Sequence, residues 1–167
     1  MESFCFELAN AGDIGQITSI THSEAGLAFR PRPILQASVK KTNLLVCRDK
    51  IGGKLVGWIE KFPIFGQVWG ISTLYVFPRF RNRGIGKILL DRVITQLQGK
   101  IVYTATASPA VIKVVCLRGF KAIEPGRIPK LILGMWLIRR YYHPATWKKY
   151  LSGQMPRLNY YVKYPPL

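Results

Sequence analysis

Acidic side chains are scarce in this chain. Eight Asp and Glu stand against 25 Lys and Arg in 167 residues, and Glu124 is the last carboxylate side chain before the C-terminus. The formal net charge is +17 at pH 7. So basic a protein is drawn to polyanions: nucleic acid, an anionic membrane surface, acidic proteins or a nucleotide cofactor. Charge alone does not choose among them. Cysteine is also sparse. Cys5, Cys47 and Cys116 are odd in number, far apart and without a C-x-x-C or zinc-type spacing, which argues for free thiols in a reducing compartment. Neither a nucleophile triad nor a metal cluster is visible, so no metal is expected. The longest apolar run, Leu131 to Ile138, falls well short of the roughly 20 residues a membrane helix requires. The opening stretch from Met1 to Glu7 has no basic region followed by an apolar core, so neither a secretory leader nor a membrane span is expected, and the location expected is cytoplasmic.

What is present is a folded composition, 49% hydrophobic and 20% charged, most simply one domain with a real core. The chain is organised around Leu74-Tyr75-Val76-Phe77-Pro78 and the stretch that follows, Arg79-Phe80-Arg81-Asn82-Arg83-Gly84-Ile85-Gly86-Lys87. The first part is an apolar, aromatic and β-branched run that reads as a buried strand, and Pro78, which cannot donate to a ladder, should end it. From there Ile85, Ile88, Leu89, Val93 and Leu97 recur at helical spacing. A helix N-terminus leaves its first N–H groups unpaired and carries a partial positive charge. Gly84 and Gly86 let the backbone approach a ligand closely, and the arginines can close around an anion. A pyrophosphate meets those demands. The turn is not a Walker A loop, because Ile88 follows Gly86-Lys87. Nor is it a dinucleotide fingerprint, because Leu89 stands where the third glycine is needed.

Arg81-x-x-Gly84-x-Gly86, with Leu-x-Val-x-Pro before it and an amphipathic helix after it, resembles the cofactor motif of the GNAT family of acyl-CoA-dependent N-acetyltransferases. A second segment from Ser108 to Gly119-Phe120 resembles that family's later helix and its Gly-Phe ending, and together the two cover residues 54–125. The resemblance implies an α/β, three-layer fold around a mixed, mostly antiparallel sheet of about seven strands, with a splayed strand pair at the cofactor site. It implies acetyl-CoA as co-substrate, held by Leu74, Tyr75 and Val76, by Arg81, Asn82, Arg83, Gly84, Ile85, Gly86 and Lys87, and by Ser108, Ile112 and Val115.

In chain order, alternation at Phe4, Phe6 and Leu8 predicts a strand, and Asp13 is expected to cap a helix carrying Ile14, Ile17 and Ile20. Arg30-Pro31-Arg32-Pro33 reads as a loop, either facing the acceptor or a solvated linker. A weak helix over Ile34–Lys41, strands near Asn43–Arg48, Lys54–Lys61 and Gly66–Val76, and a β-branched strand over Ile101–Ala107 follow. Ser108 should cap the second-motif helix; Phe120–Ile123 and Lys130–Leu137 read as the last two strands. Residues 1–138 make the domain in this reading. Residues 139–167 form a basic, aromatic extension, packed on the domain or free to hold a polyanion.

Acetyl transfer to an amine needs a proton acceptor, a donor for the carbonyl oxygen and a proton for the departing thiolate. Glu60, ending the strand beside the cofactor strand, is the candidate base; the other reading is an exposed glutamate paired with Lys54 or Lys61. Many members of the family carry a tyrosine four residues before the Gly-Phe, where this chain has Val115, so Tyr103 or Cys116 would have to supply the acid unless both are core. The expected activity is acetyl transfer from acetyl-CoA to a primary amine, by a monomer or homodimer. The alternative is a binding module of the same fold, with weak or lost catalysis, that holds nucleic acid or another polyanion through its basic surface.

Overall fold

The computed structural model describes residues 3–141, 143–153 and 157–165; Met1, Glu2 and Tyr142, which figure in the sequence reading, lie outside the described residues. Strands β1 (Phe4–Leu8), β2 (Leu44–Asp49), β3 (Leu55–Phe65), β4 (Val68–Val76), β5 (Ile101–Thr106), β6 (Lys121–Ile123) and β7 (Asn159–Lys163) form one mixed sheet in the order β1-β2-β3-β4-β5-β7-β6. Every pairing is antiparallel except β4 with β5. The helices are α1 (Asp13–Ser23), α2 (Arg32–Lys40), α3 (Ile85–Gln96), α4 (Pro109–Leu117), α5 (Lys130–Tyr141) and α6 (Pro144–Leu151).

Strand alternation sends apolar side chains to both faces, so both are covered. On one face Ile85, Leu89, Leu90 and Val93 of α3 and Val115 of α4 pack against Cys47, Val56, Ile59, Ile71 and Val102. On the other, Ile14 and Ile17 of α1 and Leu35 of α2 meet Leu44, Val46, Trp58 and Tyr75. Further along the sheet Trp136 of α5 packs with Phe62, Ile64, Tyr103 and Val162. The result is three layers, helix–sheet–helix. No helix of the described residues is long and apolar enough to cross a membrane.

Two local expectations are corrected. Lys130–Leu137 is not a strand but the first two turns of α5. A continuous apolar run hides its period: Trp136 turns inward, while Leu131, Met135 and Ile138, spaced i, i+4, i+7, are exposed. Asp13 does not cap α1 but is its first residue, and its carboxylate accepts the Asn10 N–H and two contacts from Arg48 Nη2 at 2.7 Å. The C-terminal stretch supplies α6 and β7. Strand β7 enters between β5 and β6 with Tyr161 and Val162 buried, so the last strand in sequence is an interior strand of the sheet.

Candidate active site

The site begins where two neighbouring strands part. Strand β4 pairs with β5 only from Val68 and Ile101 to Ile71 and Thr104. Beyond that point β4 runs on to Val76 and β5 to Thr106, without pairing. On its other side β4 keeps its partner: Ile59 faces Leu74 while Lys61 faces Ile71, leaving Glu60 opposite both Ser72 and Thr73. That extra residue is a β-bulge, which bends a strand and increases its twist, and it sits where β4 leaves β5. The Phe77 N–H donates to Val56 O on β3, so by alternation the amides of Leu74 and Val76 are directed into the fork. Thr104 Oγ1 donates to Ile71 O at its base.

The turn after β4 opens onto the same fork. Asn82 and Gly84 take positive φ angles of 62° and 77°, which turn the chain into α3. The first intrahelical bond runs from Ile88 N–H to Gly84 O, so the amides of Ile85, Gly86 and Lys87 precede it. Among the described residues no side chain caps this N-terminus. A Cβ built on Gly86 would lie 3.7 Å from Val76 Cγ2 and 4.0 Å from Leu74 Cδ2, an ordinary contact. The protein's own packing therefore does not demand glycine there. Arg81 Nε donates to Val76 O at 3.0 Å and its guanidinium lies 5.8 Å from the Tyr75 ring, so it bridges strand and turn.

A cavity of about 650 Å³ runs through the fork. Leu74–Val76, Arg81, Asn82 and Gly84–Lys87 line it, as do Ser108 and Val115 at α4. Of the other residues expected at the cofactor, Arg83 stacks toward the Phe80 ring at 5.7 Å and Ile112 packs on the core; neither forms part of the wall. Ser108 stands at the N-terminal cap position of α4, but its side chain makes no capping bond; its N–H donates to Thr106 Oγ1.

The candidate catalytic residues are not brought together. Glu60 is 1% exposed and its oxygens meet three donors: Arg30 Nε at 3.0 Å, and Arg139 Nη2 and Ser38 Oγ at 2.6 Å each. Burial pushes its carboxyl up, but the two guanidinium charges and the hydrogen bonds outweigh that and hold it below the ordinary value. Its partners are thus arginines, not Lys54 or Lys61. Tyr103 packs with Ile128 and Trp136, where burial and then Tyr164 raise its phenol pKa, and Cys116 is exposed on α4. Neither reaches the wall of the cavity.

Sequence reasoning missed the far end of the cavity. Glu24, Arg30, Phe62, Ser72, Trp136 and Arg139 line it. Glu24 Oε1 accepts the Tyr75 hydroxyl at 2.7 Å, and burial, then this bond, pushes the Tyr75 phenol up to about 12. Arg30 belongs to the basic Arg-Pro-Arg-Pro segment that sequence placed near the acceptor or in a linker; it is 3% exposed and turned inward. Nothing local marks Arg139, which lies 79 residues from Glu60 in sequence.

A forked parallel strand pair opening onto a helix N-terminus presents unpaired amides, which suit an anion and an extended amide-bearing chain. The sequence model of the Acetyltransferase (GNAT) family matches residues 16–114, and the chain belongs to that family. No curated protein matches the chain. Among solved structures, the Mycobacterium tuberculosis protein Rv2747 in complex with CoA and NLQ superposes with a TM-score of 0.72 at 20% identity, covering 98% of this chain and 99% of that one. Ard1 from Thermoplasma volcanium gives 0.66 at 15% identity, with 99% of each chain covered. N-acetylglutamate synthase from Neisseria gonorrhoeae, complexed with coenzyme A and N-acetyl-glutamate, gives 0.68 at 19% identity; the match takes in 98% of this chain but 35% of the synthase. These likenesses establish a shared fold.

Proposed function

We propose that the protein transfers an acetyl group from acetyl-CoA to a primary amine by direct attack. The observation that carries this reading is the fork of β4 and β5 opening onto the free amides of Ile85–Lys87. In this reading the pyrophosphate takes the α3 amides, with Arg81 and Lys87 beside it, because an anion there meets both unpaired donors and the positive end of the helix. The pantetheine arm lies along Leu74–Val76 and occupies the hydrogen-bonding side that β5 has left. The thioester then reaches the bulge at Ser72 and Thr73.

The amine nitrogen attacks the thioester carbon, negative charge builds on the carbonyl oxygen, and the C–S bond breaks to release CoA as its thiolate. A backbone N–H at the bulge stabilises the oxyanion without reorganising. The ammonium proton is lost to Glu24, the one carboxylate on the cavity wall among the described residues. Glu60, enclosed by three donors, instead holds Arg30 and Arg139 in place. Tyr103 and Cys116 lie off the cavity, so the thiolate takes its proton from solvent in this reading. The test is release of the free CoA thiol from acetyl-CoA on adding an amine panel: amine-dependent release supports the reading. Acetyl-CoA binding with no release for any amine rejects it.

A further inference from the structure

One wall of the cavity is a stretch of chain with no helix or strand of its own. Residues 24–31 join α1 to α2, and Glu24, Ala25, Leu27 and Ala28 line the cavity. Gly26, at a φ of 81°, turns the chain there. Main-chain groups in such a stretch must find partners elsewhere. Side chains of α6 provide them. Lys149 Nζ donates to the carbonyls of Thr21 at 2.8 Å, Glu24 at 2.7 Å and Leu27 at 3.3 Å. An ammonium has three protons to give, and here each has an acceptor. Thr21 lies in the last turn of α1 and Glu24 is its C-terminal cap, where carbonyls lack helical partners and a cation is favoured. One turn earlier on α6, Thr146 Oγ1 accepts the Phe29 N–H at 3.1 Å. Lys149 and Thr146 are 7% and 0% exposed, whereas neighbouring Lys148 is exposed. Lysine is rarely buried unless it is paired; burial lowers the Lys149 pKa, and the Glu24 charge opposes that. The lysine belongs to the wall it holds, not to the solvated basic surface.

We propose that Lys149 is a positioning residue of the transfer reaction, fixing residues 24–27 so that the Glu24 carboxylate meets the acceptor's ammonium. This rests on the acetyltransferase reading above. Glu24 is held at both ends: its own carbonyl accepts from Lys149, and its Oε1 accepts the Tyr75 hydroxyl at 2.7 Å. Tyr75 lies on β4, the strand along which the pantetheine runs in that reading. The carboxylate is thus set against the cofactor strand from one side and against α6 from the other. A base must sit within hydrogen-bond reach of the proton it takes, and a shift of about 1 Å can cost about a hundredfold in rate. With Lys149 removed, three carbonyls lose its N–H groups and the main chain behind the carboxylate is released.

The experiment measures CoA thiol release by the full chain with acetyl-CoA saturating. The acceptor is whichever amine wild type turns over fastest in a panel of L-amino acids, polyamines and arylalkylamines. Lys149→Met should lower kcat about ten- to hundredfold and leave acetyl-CoA affinity by calorimetry unchanged, because the fork and the α3 amides are untouched. Lys148→Met, which removes the neighbouring exposed charge, should match wild type. The deciding comparison is made in Glu24→Gln. There Lys149→Met should lower kcat by no more than about twofold further, because the group it positions is already gone. A prop for the fold alone would give the same factor in both backgrounds. Should Lys149→Met fail to fold, Lys149→Arg carries the same comparison, since it keeps a cation and donors but in a flat fork. A kcat unchanged by the Lys149 replacement, or equal factors in the two backgrounds, would overturn the proposal. Glu24→Gln with wild-type kcat would overturn it together with the base assignment, and leave acetyl transfer standing. Absence of acetyl-CoA binding, or of release with every amine, would instead overturn the acetyltransferase reading beneath it.

Discussion

Replacing Glu60 by glutamine separates a base from a scaffold. The side chain keeps its size, but Arg30 and Arg139 lose the one carboxylate they share, and Ser38 loses a charged acceptor. Removing one partner of a buried ion pair costs about 3–5 kcal/mol, because the other charge is left without compensation. For a domain of this size each kcal/mol lowers Tm by about 2–4 °C, so the fall expected is roughly 6–20 °C. Stability against pH provides a second readout. The Glu60 carboxyl is held below its ordinary 4.5, so the unfolded chain takes up this proton first as pH falls. The stabilisation is complete above that value and is lost as pH drops through the lowered folded pKa. Thermal melts of wild type and Glu60→Gln between neutral and acid pH should therefore converge on the acid side. Replacing all three charged groups by apolar side chains of similar volume should be far milder than Glu60→Gln alone. A variant that melts within about 2 °C of wild type, yet loses kcat and the acid limb of its pH–rate profile, would make Glu60 the base and refute the scaffold argument.

Glu24→Gln should lower kcat about 10²–10⁴-fold, with acetyl-CoA affinity unchanged; kcat near wild type would remove Glu24 from the reaction. Truncation after Gly153 deletes β7 from between β5 and β6 and leaves both strands without that partner. The truncated chain should lose cooperative unfolding by circular dichroism, whereas a tail serving only as a polyanion arm would leave the melt intact.

The strand–turn–helix at residues 74–97 was legible because its signals are local. Pro78 stops the strand, Gly84 supplies the positive φ, and the apolar residues of α3 repeat with helical period. The acetyl-CoA site proposed above rests on that same turn. By contrast α5 was obscured because the run from Leu131 to Ile138 is apolar on every face, and period cannot be read from a run with no polar residues. Strand β7 has no local mark either: Tyr161 and Val162 acquire their place from Thr104 and Tyr103, almost 60 positions away. The same holds for the charged cluster around Glu60. Glu60 was visible as a carboxylate beside the cofactor strand, but its role depends on Arg30 and Arg139, which only the fold brings to it.

The fork and the α3 N-terminus together are the acetyl-CoA site proposed for this protein. Its most direct test is calorimetric titration of acetyl-CoA into wild type and Gly86→Ala. The added methyl finds ordinary contacts with Val76 and Leu74, and alanine favours helix over glycine by up to about 1 kcal/mol, so the variant should melt at or above wild type. Gly86 lines the cavity beside the α3 amides, so the methyl should crowd an anion held there, and losing one or two charge-assisted hydrogen bonds should weaken binding about tenfold or more. Micromolar binding by wild type, with that loss in an intact variant, is the predicted result. Equal affinity in the two proteins, or no binding by wild type, would contradict the account.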